Sequence, residues 1–145
     1  MLRSAVLFVV AWTALWPAVA RAEPQLFPIL QALNSPGARA KLYPDVQLFF
    51  GRQRHPPVAR TIGVWPSNKR SNILRWSDLQ ACEWAFLSAL ISLQKRAKKE
   101  RANAVVDIVS SYDTVMTVSE TEYVCGTGAL RAGVALKGRV VILGR

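Results

Sequence analysis

The sequence predicts an α+β domain, a small mixed or antiparallel sheet covered on one face by one long helix. Apolar residues recur at spacings of three and four from Ser77 to about Asn103, while the stretches on either side alternate apolar and polar residues with a period of two. Short turns join the consecutive extended stretches, which favours antiparallel or mixed pairing.

Met1–Ala22 carries Arg3, an apolar run from Ala5 to Leu15, and Ala20-Arg21-Ala22, with small residues at the two positions a signal peptidase reads. That is the pattern of a secretory signal peptide, and cleavage is expected after Ala22. Pro17 interrupts the run, which is shorter than the roughly 20 apolar residues of a spanning helix, so no transmembrane anchor is expected after cleavage. No cysteine opens the mature chain, which points to soluble export to the periplasm rather than to a lipoprotein.

Residues 23–40 form an N-terminal arm in which Pro24, Pro28 and Pro36-Gly37 punctuate Leu26, Phe27, Ile29 and Leu30. An irregular or briefly helical segment packed on the domain is expected there. Residues 41–145 are read as a single α+β domain. Val46, Leu48 and Phe50 mark a first strand that stops at Gly51, and Val58–Trp65 a second. Pro66–Asn72 reads as a polar, basic loop leading to Trp76 and the helix.

Ser77 and Gln80 have the spacing of a capping box, and Leu79, Cys82, Phe86, Leu90, Leu93 and Ala97 share the core face of the helix. Lys95, Arg96, Lys98, Lys99 and Arg101 crowd its last turns, where positive charge interacts favourably with unpaired carbonyls. Trp84, Leu87 and Ile91 form a second apolar stripe roughly opposite the core face. Its cover is either the arm or a second subunit or partner, and the stripe is therefore a candidate interaction site and a route to a homo-oligomer. A strand follows from Ala104 to Val109, then a polar connection from Ser110 to Ser119. Glu120–Gly126 alternates again with Thr121, Tyr123 and Cys125 on one face, and Ala129–Leu143 supplies one long strand or two kinked at Gly138.

The chain has 19 basic and 9 acidic side chains. Loss of Arg3 and Arg21 with the leader leaves about +8 on a mature chain of about 123 residues, a length that suits one domain. Such a charge favours acidic partners, and an exported protein meets an anionic envelope polymer, lipid or protein partner first. Trp65 to Trp76 interleaves aromatics with Lys69, Arg70 and Arg75, as single-stranded nucleic-acid platforms do. Export and the lack of any named module argue against nucleic acid, so the stretch is read as a basic loop between two core-anchoring tryptophans.

One His and two Cys cannot furnish a closed zinc site, and no metal or cofactor is expected. Gly126-Thr127-Gly128 with Gly133 lacks the G-x-x-x-x-G-K-[ST] pattern and is read as a turn or bulge where glycine permits positive φ. Cys82 on the core face and Cys125 in a strand under it invite one disulfide in an oxidising compartment, worth roughly 4 kcal/mol for a loop of about 43 residues. Two buried free thiols are the other reading.

The stretches Cys82-Glu-Trp-Ala-Phe-Leu-Ser-Ala-Leu90, Asn103-Ala-Val-Val106, Glu122-Tyr-Val-Cys-Gly-Thr-Gly-Ala129 and Ala132-Gly-Val-Ala-Leu-Lys-Gly138 resemble small exported proteobacterial proteins of unassigned activity. Some of these circulate under the name excinuclease ATPase subunit, although this chain has neither a P-loop nor a zinc-type cysteine set. More distantly, the helix running into Ala102-Asn-Ala-Val-Val106 is similar to YbjQ-like domains and to the signalling domain of the envelope-stress lipoprotein RcsF. Those relatives place Gly before Ala-Asn-Ala, where this chain has Arg101, so a different helix cap is expected here. The resemblance implies an envelope protein with an α+β domain, not a reaction. The functional expectation is a periplasmic binding or interaction domain without catalysis. The alternative is a periplasmic hydrolase or redox enzyme assembled from Asp107, Glu120, Glu122 and His55.

Overall fold

The computed structural model describes residues 23–74 and 76–144. The expected signal peptide at 1–22, its cleavage site and Arg75 lie outside the described residues. The chain folds as α+β with one mixed sheet. In order it forms β1 (Glu23–Pro28), α1 (Ile29–Leu33), α2 (Pro36–Lys41), β2 (Gln47–Phe50), β3 (Val58–Asn72), α3 (Asp78–Lys99), β4 (Ala104–Tyr112), β5 (Val115–Thr117), β6 (Glu122–Thr127) and β7 (Arg131–Leu143).

The start of α3 is the capping box expected from Ser77 and Gln80. The Ser77 hydroxyl accepts the Gln80 N–H at 3.2 Å, and the Gln80 amide oxygen accepts the Ser77 N–H at 3.3 Å. At the other end the structure corrects the expectation of a different cap. Arg101 itself takes the left-handed conformation, φ 56°, that glycine would occupy there. Its N–H donates to the Lys98 carbonyl at 3.1 Å and the Ala102 N–H to the Ala97 carbonyl at 2.8 Å, the two bonds of a Schellman motif. Cys82, Phe86, Leu90, Leu93 and Ala97 are buried as expected, whereas Leu79 is 36% exposed. Leu79 lies in the first turn, close in sequence to exposed Leu74 and Trp76. Trp76 is thus no core anchor; Trp65 does pack against the core.

All strand pairs are antiparallel except β2 with β4. The long strand β7 is the hub. On one edge it carries β3 along its whole length, from Arg131 opposite Asn72 to Leu143 opposite Val58. On the other edge, β6 pairs with Ala132 and Gly133, and β4 takes over from Leu136 to Val141. β3 therefore runs through the stretch expected to be a loop. Pro66 is accommodated because β3 is an edge strand, where a missing donor breaks no second ladder.

Two further expectations give way. Residues 110–117 are not a polar connection but the β4–β5 hairpin, closed by Asp113 and Thr114 at φ 48° and 65°. The arm does hold two short helices, but it begins with a strand, β1, whose Gln25 lies opposite Cys125 of β6. Within β4, Asp107 has φ 52° and the register with β7 slips between Val106 and Val109, a bulge that resets the alternation. Val105 and Ile108 consequently join the main core under α3, while Ala104 and Val106 join Val141 and Leu143 in a smaller cluster.

The main core is threaded by aromatic contacts that link four elements. Phe27 of β1 stacks on Tyr123 of β6 at 5.9 Å, Tyr123 on Phe86 of α3 at 3.9 Å, and Phe86 meets Phe50 of β2 at 6.0 Å. Gln94, buried on α3, binds the loop before β2 through the Tyr43 N–H, the Tyr43 carbonyl and the Val46 carbonyl, each at 2.9 Å. Cys82 and Cys125 form a disulfide with Cα atoms 5.9 Å apart, tying α3 to β6 inside this core.

Candidate functional site

Alternation along β7 separates its two faces. Ala132, Val134, Leu136 and Val140 point into the core beneath α3, so Gly133, Ala135, Lys137 and Arg139 point the other way. The register places Asn68 opposite Ala135 and Arg70 opposite Gly133, which puts these β3 residues on that second face too. At one end the second face is closed by the Ala104, Val106, Val141 and Leu143 cluster, with Phe49 and Val58 on it. In the middle Arg139 donates to Asp107 from Nε at 2.9 Å and to the Thr61 hydroxyl from Nη1 at 3.2 Å. The far end is open.

That open end is a groove of about 830 Å³ with Gly133 and Ala135 on its floor, Asn68, Lys69 and Arg70 along one wall, and Tyr112, Asp113 and Thr114 along the other. A neighbouring hollow of about 550 Å³ continues it past Gly126 and Gly128 to Arg131, sharing Arg70, Tyr112 and Gly133. Tyr112 reaches the second face because β4 leaves the β7 edge after Ser110, where β6 takes its place. The Ser110 hydroxyl accepts the Val124 N–H at 3.0 Å and holds the two strands together at this handover.

Position 126 must be glycine for reasons of space, whereas position 133 has room for a Cβ. A Cβ on Gly126 would fall 1.7 Å from the Tyr112 hydroxyl oxygen and 2.1 Å from Cζ. On Gly133 it would sit 3.8 Å from Arg70 Cγ and 3.9 Å from Tyr112 Cε2, so those two side chains flank the bare backbone. The expectation of a turn using positive φ is corrected: among the described glycines only Gly51 has positive φ. Close approach of Tyr112, not an unusual dihedral, is what Gly126 permits.

The electrostatics are one-sided. Arg70 and Arg131 line the groove and its extension from the second face, Lys69, opposite Val134, alternates onto the other face, and among the described residues the only acidic one lining them is Asp113. The three ion pairs among the described residues, Arg96–Glu100, Lys98–Asp45 and Arg139–Asp107, involve none of these cations. The hairpin wall is held by a strained turn, since Thr114 is a β-branched residue at φ 65°.

Of the residues singled out from sequence, the fold brings Lys69, Arg70, Gly126, Gly128 and Gly133 together; Arg75 is outside the described residues. Trp84, Leu87 and Ile91 lie elsewhere, on α3. Leu87 is buried, Trp84 and Ile91 are half-buried, and Gly37 of α2 rests against both Trp84 and Leu87, with Lys41 Nζ 4.9 Å from the Trp84 ring. α2 thus lies against Trp84 and Leu87 within the same chain, whereas Leu26 and Leu30, the arm residues expected to cover the stripe with Phe27 and Ile29, are exposed and Phe27 stacks on Tyr123. Asp107, Glu120, Glu122 and His55 do not share a pocket. Asp107 is engaged by Arg139, His55 packs on Phe49 at 5.5 Å, Glu120 lies beside Arg52, and Glu122 faces Pro28 of β1. No group of three or more His, Cys, Asp or Glu capable of holding a metal occurs among the described residues. Tyr112, Arg131 and Asn68 were not legible as site residues, because only the handover from β4 to β6 carries Tyr112 across the glycines.

Comparison of the chain with family models, curated proteins and solved structures finds no match.

Proposed function

We propose that this chain is an exported cell-envelope domain that binds an anionic ligand, without catalysis, in the groove between β3 and the β4–β5 hairpin. The observation that carries the reading is the pair Arg70 and Arg131, unengaged by carboxylates of the described residues, on the groove face beside the bare backbone of Gly133. In this arrangement α3 serves as the one long cover of the opposite face and leaves the groove face to the ligand. Anions of the envelope, whether polymer, lipid or an acidic protein surface, are the class that this charge selects.

Export is supported by the signal-like pattern of residues 1–22 and by the Cys82–Cys125 bridge, since disulfides persist in oxidising compartments. No helix among the described residues is long and apolar enough to cross a membrane. Mass spectrometry of protein recovered from the periplasm should find Glu23 as the N-terminus; an intact Met1 in the membrane fraction overturns the localisation.

The groove itself is tested by chromatography on a phosphate-bearing matrix. Arg70→Gln with Arg131→Gln should elute at clearly lower salt than Arg52→Gln with Arg54→Gln, a pair of exposed arginines outside the groove and of equal charge. Equal elution of the two double variants means that net charge alone drives retention, and the groove reading fails.

A further inference from the structure

Tyr112 has a different neighbourhood on its other side. A second groove, of about 290 Å³, lies between β1, β6 and the hairpin, where Leu26 and Val124, opposite each other in the β1–β6 ladder, face Val115 and Thr117. Tyr112 and Asp113 line both this groove and the basic one, so the two are separated by a single hairpin wall. The character changes across that wall. One side presents Arg70; the other presents aliphatic side chains, of which Leu26 is 55% and Val115 64% exposed. Exposed aliphatic side chains on a strand and a hairpin tip that flank one groove leave apolar surface without a cover from this chain.

We propose that the ligand of the groove is an anionic amphiphile, with a phosphate-type head held by Arg70 and an aliphatic chain laid against Leu26, Val115 and Val124. The inference rests on the anion-binding reading above and deepens it. Charge complementarity fixes the head, and the adjacency of the apolar groove to the basic one, across the Tyr112 side chain they share, fixes the tail. Tyr112 suits the boundary, because a phenol has an apolar ring and a polar tip. The competing basic patch, Lys95, Arg96 and Lys99 beside Trp65, is less suited to an anion. It lies on the last turns of α3, whose carbonyl end carries partial negative charge, and Arg96 is already engaged by Glu100 and the Trp65 ring. Asp113 opposes the head, so Asp113→Asn should bind it severalfold more tightly.

Octyl phosphate below its micelle concentration is the probe, with inorganic phosphate and octyl glucoside as the two half-ligands, all titrated calorimetrically into the full chain. Octyl phosphate should bind at least tenfold more tightly than either half. Leu26→Ser with Val115→Ser, both at exposed positions, should reduce octyl phosphate to the affinity of inorganic phosphate, and Arg70→Gln should reduce it to that of octyl glucoside. Vesicles of phosphatidylglycerol and of phosphatidylcholine separate the sources of the amphiphile. Binding to the anionic vesicles places it in a bilayer, and binding to monomeric octyl phosphate alone makes it a carried lipid. Octyl phosphate no tighter than inorganic phosphate or octyl glucoside overturns the amphiphile; if phosphate still binds, the anion groove stands. If neither phosphate species binds, the anion groove falls with it.

Discussion

Arg101 shows how a single side chain can stand where backbone geometry prefers another. An L-residue in the left-handed region is strained by its Cβ, yet the Schellman bonds around Arg101 hold φ at 56°. Arg101→Gly should therefore raise stability by about 1 kcal/mol, read as a later urea midpoint with unchanged slope. An earlier midpoint would mean that the arginine side chain contributes more than its backbone loses. Gln94 is the opposite case, a polar residue that its setting requires. Gln94→Ala leaves the Tyr43 N–H and the Tyr43 and Val46 carbonyls without their partner, and about 2–3 kcal/mol of stability should go with it. Loss of less than about 0.5 kcal/mol would show that water replaces the amide at no cost. Tyr123 adds a pH dependence. Burial, with a smaller contribution from the Glu83 charge, holds its phenol well above its usual value near 10. The unfolded chain then loses this proton first as pH rises, so stability is intact below pH 10 and falls above it. Denaturation followed from pH 8 to 11 should show that decline in the parent and a shallower one in Tyr123→Phe; equal slopes would assign the decline to other groups.

At the scale of elements, what could be read from sequence depended on whether the signal was local. The helix was legible because its cap, its three-and-four spacing and its basic last turns are all written within Ser77–Arg101. Cys82 and Cys125 were legible as a pair because each face could be assigned from its own segment, and the bridge closes a loop spanning 43 positions. Replacing both by alanine should cost about 4 kcal/mol, observed as a large fall in the unfolding midpoint under non-reducing conditions, while an unchanged midpoint would show that packing alone joins α3 to β6. β3 was only half legible. Pro66 and the polar run to Asn72 carry the local signature of a loop, and it is β7, 59 to 71 residues further on in the ladder at Lys137–Arg131, that draws them into a strand. β1 was hidden in the same way, since its two prolines mask a ladder supplied by β6. The Asp107 bulge, which no period-two pattern can announce, moved Ile108 to the face opposite Ala104 and Val106.

On the whole molecule, the charge of +10 has a direction that composition does not reveal. α3 packs on one face of the sheet, where the aromatic contacts and the disulfide lie. The other grades from an apolar cluster at Val141 and Leu143, through the Arg139–Asp107 pair, to the basic groove at Arg70. Lys69 and Arg70 were visible beforehand as a basic stretch and Gly126, Gly128 and Gly133 as a glycine set. That they form one site follows from the register of Arg70 with Gly133 and from Tyr112 crossing onto Gly126, neither of which is local. The most direct test of the account is an amide-resolved NMR titration of the protein with inorganic phosphate. Shifts should concentrate at Asn68–Arg70, Tyr112–Thr114 and Gly133–Ala135, and vanish in Arg70→Gln. Shifts centred on Lys95, Arg96 and Lys99, or spread evenly over the basic surface and unaltered by Arg70→Gln, would contradict it.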